Sequence, residues 1–347
     1  MNAIVFHEYG GPEVLRWEQV AAPTADVGHV VVKVGACSIN RGPDAMVRSG
    51  KFGLTGNSLP HVSGADAAGT ITQIGDDVTG VKVGDRVAVY PILSCDTWCN
   101  HCPRLGENYC AKFRVVGVQT WGGHAEYVAV PARNVVPIAD SLSFEAAAML
   151  GVSYITAWHG MITKAATQPG ETILVMAAGS GVGAAAIQIG AMLGARVLAT
   201  TGAPWKAEKA REIGADEVFD YNDPGWTEKV RTTTDGHGVD VLFDNVGGTW
   251  TQSVPLLARG GRLFCSGATS QWDVNIDLRQ LYRNMNTLHF YMQGTKEEMG
   301  VVADLMAQQR LLPVIDSVYP MSQAREAHQR LNDNNQFGKI VLRPDAE

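Results

Sequence analysis

Residues 171–202 read ETILVMAAGSGVGAAAIQIGAMLGARVLATTG, and this stretch decides the fold of the chain. Its first part, residues 172–176, is a short apolar run rich in β-forming residues, which is typical of a strand buried on both faces. A glycine-rich turn follows, then small residues at helical spacing up to Leu193, and residues 196–200 are predicted to form the next strand. This order is the βαβ unit of dinucleotide-binding proteins, because its helix N-terminus offers free N–H groups to a pyrophosphate.

The predicted pyrophosphate turn consists of Gly179, Ser180, Gly181, Val182 and Gly183. A strict G-x-G-x-x-G motif that ends on Gly183 would require glycine at positions 178 and 180, where this chain has alanine and serine. A glycine cluster alone is also typical of an ordinary tight turn between a strand and a helix. The flanking strand and helix favour dinucleotide binding over that alternative.

The composition is that of a globular enzyme with 347 residues, 46% of them hydrophobic and 18% charged, enough for two domains and a large core. The formal net charge of -7 disfavours nucleic acid and anionic membranes as main partners. The first residues lack the basic segment and apolar run of a signal peptide, and no apolar run reaches the length of a membrane span. We therefore expect a cytoplasmic protein that acts on a small molecule.

The sequence pattern changes near residue 150, which predicts two kinds of domain. Before it, short runs broken by Gly and Pro indicate an all-β, barrel-like domain, and Ser143 is predicted to cap a helix at 144–150. The strands predicted there are 29–35, 70–74, 86–89 and 125–130.

After residue 171, strands alternate with helices, which predicts a doubly wound parallel sheet of six strands in an α/β fold. Those strands are predicted at 172–176, 196–200, 217–220, 239–245, 262–267 and 287–291. The helices between them are predicted at 181–193, 204–213, 225–233, 249–258 and 278–283. A last helix at 296–309 and a strand at 339–342 are expected to return to the first domain.

Separated motifs along nearly the whole chain carry a family resemblance. They are FHEYGGPEVL at 6–15, SGADAAG at 63–69, GDRV at 84–87, GGHAEY at 122–127, GGR at 260–262 and FGKIVL at 337–342. Together they resemble the medium-chain dehydrogenase/reductase superfamily, in its zinc-containing alcohol dehydrogenase family, particularly the quinone oxidoreductase-like branch. The resemblance implies a GroES-like β-barrel domain from residues 1–152 and 291–347 and a Rossmann domain from residues 153–290. It also implies a cofactor and substrate in the cleft between them, and a homodimer or homotetramer.

The cofactor is predicted to be NADPH. A ribose-binding acid is expected at the end of the second strand, but the chain has Thr201 and Gly202 there, and Lys206 follows in a place suited to a 2′-phosphate. Alternatively, Lys206 is a solvated helix residue. Tyr221 resembles a residue that lines the adenosine phosphate pocket of NADPH-using relatives. The resemblance further implies that the nicotinamide half lies near four residues, Thr156, Asn245, Gly267 and Ala268.

Four crowded cysteines, Cys95, Cys99, Cys102 and Cys110, resemble the structural zinc lobe of the alcohol dehydrogenases. Four thiolates close a tetrahedral shell around one structural zinc ion and leave no open position for chemistry. The first gap has one residue more than the family pattern, so Asp96 or His101 remains an alternative to Cys95. The other alternative is a loop of unliganded cysteines.

The catalytic zinc of the alcohol dehydrogenases needs Cys and His ligands. By alignment on the flanking motifs, those places fall at Asn40, Ala65 and about Val152, which cannot replace a thiolate or an imidazole. Cys37 lies nearby and is expected to be a buried strand residue. We therefore expect an active site without a catalytic metal.

Direct hydride transfer from NADPH to an activated alkene or quinone is the reaction this pattern favours. Asn40 is the candidate donor to the developing negative charge, and the alternative is that it only holds a turn. The proton-donating Tyr of related enoyl reductases corresponds to Phe52, so solvent or a group such as His61 would have to serve, although His61 is more typical of an ordinary loop histidine. A carbonyl or imine reductase, an alcohol dehydrogenase and a non-catalytic NADPH-binding protein remain competing functions.

Overall fold

The computed structural model describes residues 1–51, 59–94 and 102–345. In these ranges the strands are β1 (Asn2–Val5), β2 (Arg16–Gln19), β3 (His29–Ser38), β4 (Asp66–Ile74), β5 (Arg86–Val89), β6 (Ile92–Leu93), β7 (Arg114–Val115), β8 (Tyr127–Pro131), β9 (Val135–Pro137), β10 (Thr172–Val175), β11 (Arg196–Thr201), β12 (Glu217–Asp220), β13 (Val239–Phe243), β14 (Leu257–Cys265), β15 (Thr287–Phe290), β16 (Ile315–Pro320) and β17 (Lys339–Arg343).

The helices of the same ranges include several short ones. They are α1 (Cys102–Leu105), α2 (Phe144–Ala147), α3 (Ile155–Trp158), α4 (Gly181–Met192), α5 (Pro204–Glu212), α6 (Trp226–Thr233), α7 (Trp250–Ser253), α8 (Leu278–Asn284), α9 (Lys296–Ala307) and α10 (Ala324–Asn332). Turns of π-helix cover Arg41–Met46, Leu150–Tyr154 and His159–Lys164. Turns of 3₁₀-helix cover Pro12–Val14, Glu107–Tyr109, Ala132–Asn134, Val254–Leu256 and Met321–Gln323. None of the described helices is long and apolar enough to cross a membrane.

The chain divides into two compact units, one of Met1–Ile155 with Thr295–Glu347 and one of Thr156–Gly294. The first unit contains a sheet in the order β16-β17-β3-β4-β5-β9, with β8 also paired to β3. Its pairs are antiparallel except for β16 with β17. Because β17 pairs with β3, the predicted return of the tail to the first sheet is confirmed, and this unit has the predicted GroES-like β architecture.

The second unit is built on a six-stranded parallel sheet in the order β12-β11-β10-β13-β14-β15. The predicted doubly wound Rossmann sheet is therefore confirmed. Ile173, Leu174 and Val175 of β10 are fully buried, as their apolar run predicts. The strand order reverses beside β10, and ligands of such sheets bind at the carboxyl ends of the strands at that reversal. The glycine-rich turn follows β10 at this place.

Several predicted bounds are wrong for identifiable reasons. The helix predicted at 249–258 is only α7 and one 3₁₀-turn, because Pro255 cannot donate a helical hydrogen bond and Leu257 already begins β14. The helix predicted at 144–150 ends at Ala147, although Ser143 caps it as predicted by accepting a hydrogen bond from the Ala146 amide at 3.2 Å. Two tail elements, β16 and α10, were not predicted. Asp316 and Ser317 interrupt the apolar pattern of β16, and most residues of α10 are polar.

Candidate cofactor and active sites

The turn after β10 fits the pyrophosphate of a dinucleotide. Ser180 caps α4, since its Oγ accepts a hydrogen bond from the Gly183 amide at 2.9 Å. A Cβ at Gly183 would lie 2.4 Å from the carbonyl oxygen of Ala177, so only glycine permits this close turn. The first amides of α4 have no carbonyl partner within the helix, and the positive end of the helix dipole lies there. An anionic group would find donors at this place.

The predicted ribose-phosphate residues follow β11 and β12. Thr201 ends β11, and the ring of Tyr221 lies so close to Gly202 that a Cβ there would be 2.6 Å from the Tyr221 hydroxyl oxygen. Asn222, which sequence reasoning missed, donates from Nδ2 to the Gly202 carbonyl at 3.1 Å and ties the two loops together. Lys206 lies in the first turn of α5. This turn contains no acidic residue, and Glu208 and Glu212 lie further along the helix.

Three of the predicted nicotinamide residues, Asn245, Gly267 and Ala268, lie on loops that the Asn245 side chain connects, and the fourth, Thr156, lies in α3. Asn245 Oδ1 accepts a hydrogen bond from the Ser266 amide at 2.7 Å, which joins the loop after β13 to the loop that carries Gly267 and Ala268. No atom lies within 4 Å of a Cβ built on Gly267, so this backbone is open to a ligand. Thr156 is buried, and its carbonyl accepts a hydrogen bond from the Tyr291 hydroxyl at 2.9 Å.

Asp244, also missed from the sequence, fixes the loop after β13. This fully buried carboxylate accepts hydrogen bonds from the Val246 amide at 2.8 Å and from the Thr249 and Ser253 hydroxyls at 2.7 and 2.9 Å. Because its neighbour Asn245 begins that loop, Asp244 holds the predicted nicotinamide residue in place.

Asn40 is part of a buried polar cluster in the first unit. Its side-chain Nδ2 donates to Asp66 Oδ2 at 3.1 Å, and its Oδ1 accepts a hydrogen bond from Lys339 Nζ. The Ser38 hydroxyl donates to the same Asp66 oxygen at 3.0 Å. Both ends of the Asn40 amide are therefore engaged, although Nδ2 carries a second proton. Its role as a donor to substrate stays a prediction.

The other places of the predicted metal-free site are apolar or buried. Ala65 is fully buried and Val152 is half-buried. Cys37 is fully buried in β3, as predicted, and burial raises the pKa of its thiol well above the usual value. His61 is buried rather than exposed in a loop, with Nε2 at 3.0 Å from the Gly117 carbonyl oxygen. Phe52 lies outside the described residues.

Comparison with known proteins gives the family. A model of the alcohol dehydrogenase GroES-like domain matches residues 26–140, and a model of zinc-binding dehydrogenases matches residues 213–342. The crystal structure of an NAD-dependent alcohol dehydrogenase superposes with a TM-score of 0.93 at 35% identity, covering 99% of this chain and 100% of that one. The chain belongs to the medium-chain dehydrogenase/reductase superfamily.

Within the superfamily, the motifs of this chain are those of the quinone oxidoreductase-like branch. The quinone oxidoreductase of Rattus norvegicus is 29% identical over 99% of this chain and 97% of its own length. The structure of mycobacterial Rv1454c complexed with NADPH has a TM-score of 0.81 at 29% identity and covers 99% of this chain and 100% of that one. The chain is therefore an oxidoreductase of the medium-chain superfamily.

The predicted zinc lobe lies only partly within the described residues. Cys102 begins α1, and the buried Cys110 directly follows the 3₁₀-turn Glu107–Tyr109. The other predicted ligands, Cys95 and Cys99, and their alternatives Asp96 and His101 lie outside the described residues. Residues 1–51, 59–94 and 102–345 by themselves contain no group of three or more His, Cys, Asp or Glu that would hold a metal. The zinc site stays a prediction.

A buried histidine cluster in the first unit was not predicted. Arg48 Nη1 lies 2.6 Å from His328 Nδ1, and because Arg can only donate, this contact assigns the proton of neutral His328 to Nε2. The rings of His124 and His328 meet edge to face at 5.9 Å. Burial lowers the pKa of His61, His124 and, with the charge of Arg48, most strongly that of His328.

The lowered pKa values of His61, His124 and His328 predict that the protein loses stability in mild acid. Their folded pKa values lie below the value of about 6.5 in an unfolded chain, so the unfolded state binds more protons as the pH falls. The contribution of these histidines to the free energy of unfolding is complete above about pH 6.5 and is lost progressively as the pH falls below that value. Urea unfolding at about pH 7.5 and about pH 5.5 should show a loss of up to about 1.4 kcal/mol per histidine.

The matched control for this prediction is His328→Gln, whose amide oxygen still offers Arg48 an acceptor. This variant should show a shallower loss of stability with acid than the parent. An unfolding free energy that stays constant over this pH range in the parent would contradict the assignment.

Proposed function

We propose that this oxidoreductase uses NADPH to reduce an activated alkene or a quinone by direct hydride transfer, without a catalytic metal. The observation that carries the proposal is the chemistry of Asn40, Ala65 and Val152, which stand where the alcohol dehydrogenases have catalytic zinc ligands. Neither a methyl nor an isopropyl group ligates zinc, and the Asn40 amide already bonds to Asp66 and Lys339.

NADPH is proposed over NADH because β11 ends without an acid. A carboxylate at Thr201 or Gly202 would hold the ribose 2′-hydroxyl of NADH and repel a 2′-phosphate. Lys206 instead supplies a positive charge, and the contact of Tyr221 with Gly202 shapes the neighbouring surface. The similarity to mycobacterial Rv1454c, whose structure contains NADPH, also supports this choice.

In the proposed reaction, the protein binds the cofactor and stabilises the negative charge that develops on the substrate. Residues 179–183 would hold the pyrophosphate, the loop of Asn245 and Gly267 would hold the nicotinamide half, and the bound cofactor would supply the hydride. In an enone, the hydride goes to the β-carbon and negative charge develops on the carbonyl oxygen. The second amide proton of Asn40 is the proposed donor to that oxygen. Since Phe52 carries no proton to give, the α-carbon would take its proton from solvent.

Carbonyl reduction is the second candidate, since the structure at 35% identity is an alcohol dehydrogenase. Product analysis after NADPH oxidation with an enone separates the two reactions. A saturated ketone supports the proposed function, and an allylic alcohol supports carbonyl reduction. Binding of NADPH without turnover of enones, quinones or aldehydes would instead favour a non-catalytic protein.

The proposed zinc lobe predicts one tightly held zinc ion per chain. Metal analysis of the purified protein should give close to one equivalent, and Cys102→Ser should lose zinc and melt at a lower temperature, because closed thiolate sites stabilise the loop they bind. Cys265→Ser, at a buried cysteine of the other unit, is the control and should keep its zinc. No zinc, or two equivalents, would contradict the assignment.

A further inference from the structure

The side-chain amide of Asn40 is held in one orientation by two buried groups of opposite charge. Its Oδ1 accepts a hydrogen bond from Lys339 Nζ, and its Nδ2 donates to Asp66 Oδ2 at 3.1 Å. Because an ammonium group can only donate, the amide atom beside it is the oxygen, and the nitrogen faces Asp66. A flipped amide would turn its oxygen toward the carboxylate and its N–H groups toward the ammonium. The charges of Asp66 and Lys339 therefore fix the orientation of this amide.

The main chain around Asn40 is anchored as well. Asp44, a second buried acid at this place, accepts hydrogen bonds from the backbone amides of Asn40 at 2.7 Å and Gly64 at 2.9 Å. Lys339 Nζ also donates to the Ile39 carbonyl at 2.9 Å. The backbone of Asn40 and both ends of its side chain are thus fixed before any substrate binds, so the second Nδ2 proton has a defined direction.

This arrangement is not the one that stability alone would favour. The Asp66 and Lys339 side chains are almost fully buried, and a buried ion pair is often no more stabilising than well-packed apolar side chains of similar volume. The second carboxylate oxygen of Asp66, Oδ1, is buried and has no hydrogen-bond partner among the described residues, which adds to the cost. Asn40 is the most exposed of the three residues. A role of the two charges that is exerted through Asn40 would explain the arrangement.

We propose that Asp66 and Lys339 are positioning residues, which hold the second amide proton of Asn40 toward the substrate oxygen. The inference rests on the proposed function, in which that proton stabilises the developing negative charge, and deepens it. A donor that is fixed in advance stabilises such a charge without reorganising during the reaction. The hydrogen bond from Lys339 also polarises the amide, so that its N–H groups become stronger donors.

Turnover of NADPH with cyclohexenone in three variants tests the inference. Asn40→Ala should lower kcat about a hundredfold, as expected for the loss of an oxyanion donor. The double variant Lys339→Met with Asp66→Leu removes both charges together, so it should still fold, but it should lower kcat about ten- to hundredfold, because the amide is no longer held in place. The triple variant should be no slower than Asn40→Ala, because residues that act through Asn40 have no further effect once its amide is gone.

The controls separate turnover from stability and from cofactor binding. Asn134→Ala is the matched control, since Asn134 is buried in the same unit and its Nδ2 donates to the Tyr90 and Ile92 carbonyls at 2.9 and 2.7 Å. It should melt at a lower temperature and keep kcat within about twofold of the parent. The affinity for NADPH, titrated by nicotinamide fluorescence, should stay within about twofold in every variant, because the positioned proton acts mainly in the transition state. All rates are measured below the melting temperature of each variant.

The outcomes distinguish this inference from the proposed function. If the folded double variant keeps the parent kcat, or if the losses multiply in the triple variant, the positioning role is overturned and the proposed function stands. If Asn40→Ala keeps the parent kcat, the inference is overturned together with the donor role of Asn40, and the saturated ketone still supports the proposed reaction. If the parent forms no saturated ketone from cyclohexenone, the proposed function is wrong and the inference falls with it.

Discussion

Lys339→Met is expected to lower the free energy of unfolding by about 3–5 kcal/mol, the cost of breaking a buried ion pair by removing one partner. The Lys339 side chain is 4% exposed, and its Nζ lies 3.5 Å from Oδ2 of the fully buried Asp66. Nζ also donates to the Ile39 carbonyl at 2.9 Å. Burial raises the pKa of Asp66 and lowers that of Lys339, and each partner's charge opposes the shift.

Urea unfolding with two controls tests this prediction. Lys82→Met removes a lysine that is 84% exposed, 3.9 Å from Asp85, and should cost at most about 1 kcal/mol. The double variant Lys339→Met with Asp66→Leu should recover much of the stability, because neither charge of this pair then stays buried without its partner. A Lys339→Met variant as stable as the parent would show that the pair contributes nothing to the fold.

Lys206→Ala is expected to weaken NADPH by about 1.5–3 kcal/mol and to leave NADH almost unchanged, because the lysine would meet only the 2′-phosphate. Titration of nicotinamide fluorescence with both cofactors measures the difference. Glu208→Ala, two residues along the same helix, is the control and should not distinguish the cofactors. Equal losses for NADPH and NADH in Lys206→Ala would mean that the residue only supports the fold.

Short-range patterns in the sequence predicted the second unit well. The apolar run before the glycine turn and the strand–helix alternation after it fix the parallel sheet, because each βαβ unit folds from consecutive residues. The strand β12 has the bounds that were predicted. Polar elements such as α10 were missed, because only Ala324, Ala327, His328 and Leu331 of that helix are buried.

The candidate site depends on contacts between residues that are far apart in the sequence, and local patterns do not predict such contacts. Asp66 and Lys339 both lie in motifs that are visible in the sequence, yet 273 residues separate them, and no spacing rule predicts their pairing. The contact of Arg48 with His328 spans 280 residues. The place of Lys206 near the start of the helix after β11, by contrast, follows from local chain order, and its contact with a 2′-phosphate stays a prediction.

The position of a transferred deuterium tests the proposed reaction most directly. With NADPH deuterated at the transferable position of the nicotinamide and an enone as substrate, the proposed reaction places deuterium at the β-carbon of a saturated ketone. A chelator too weak to strip a thiolate site should leave that rate unchanged, since the proposed reaction uses no catalytic metal. Deuterium on the carbinol carbon of an allylic alcohol would contradict the proposed reaction and show that the carbonyl group is reduced.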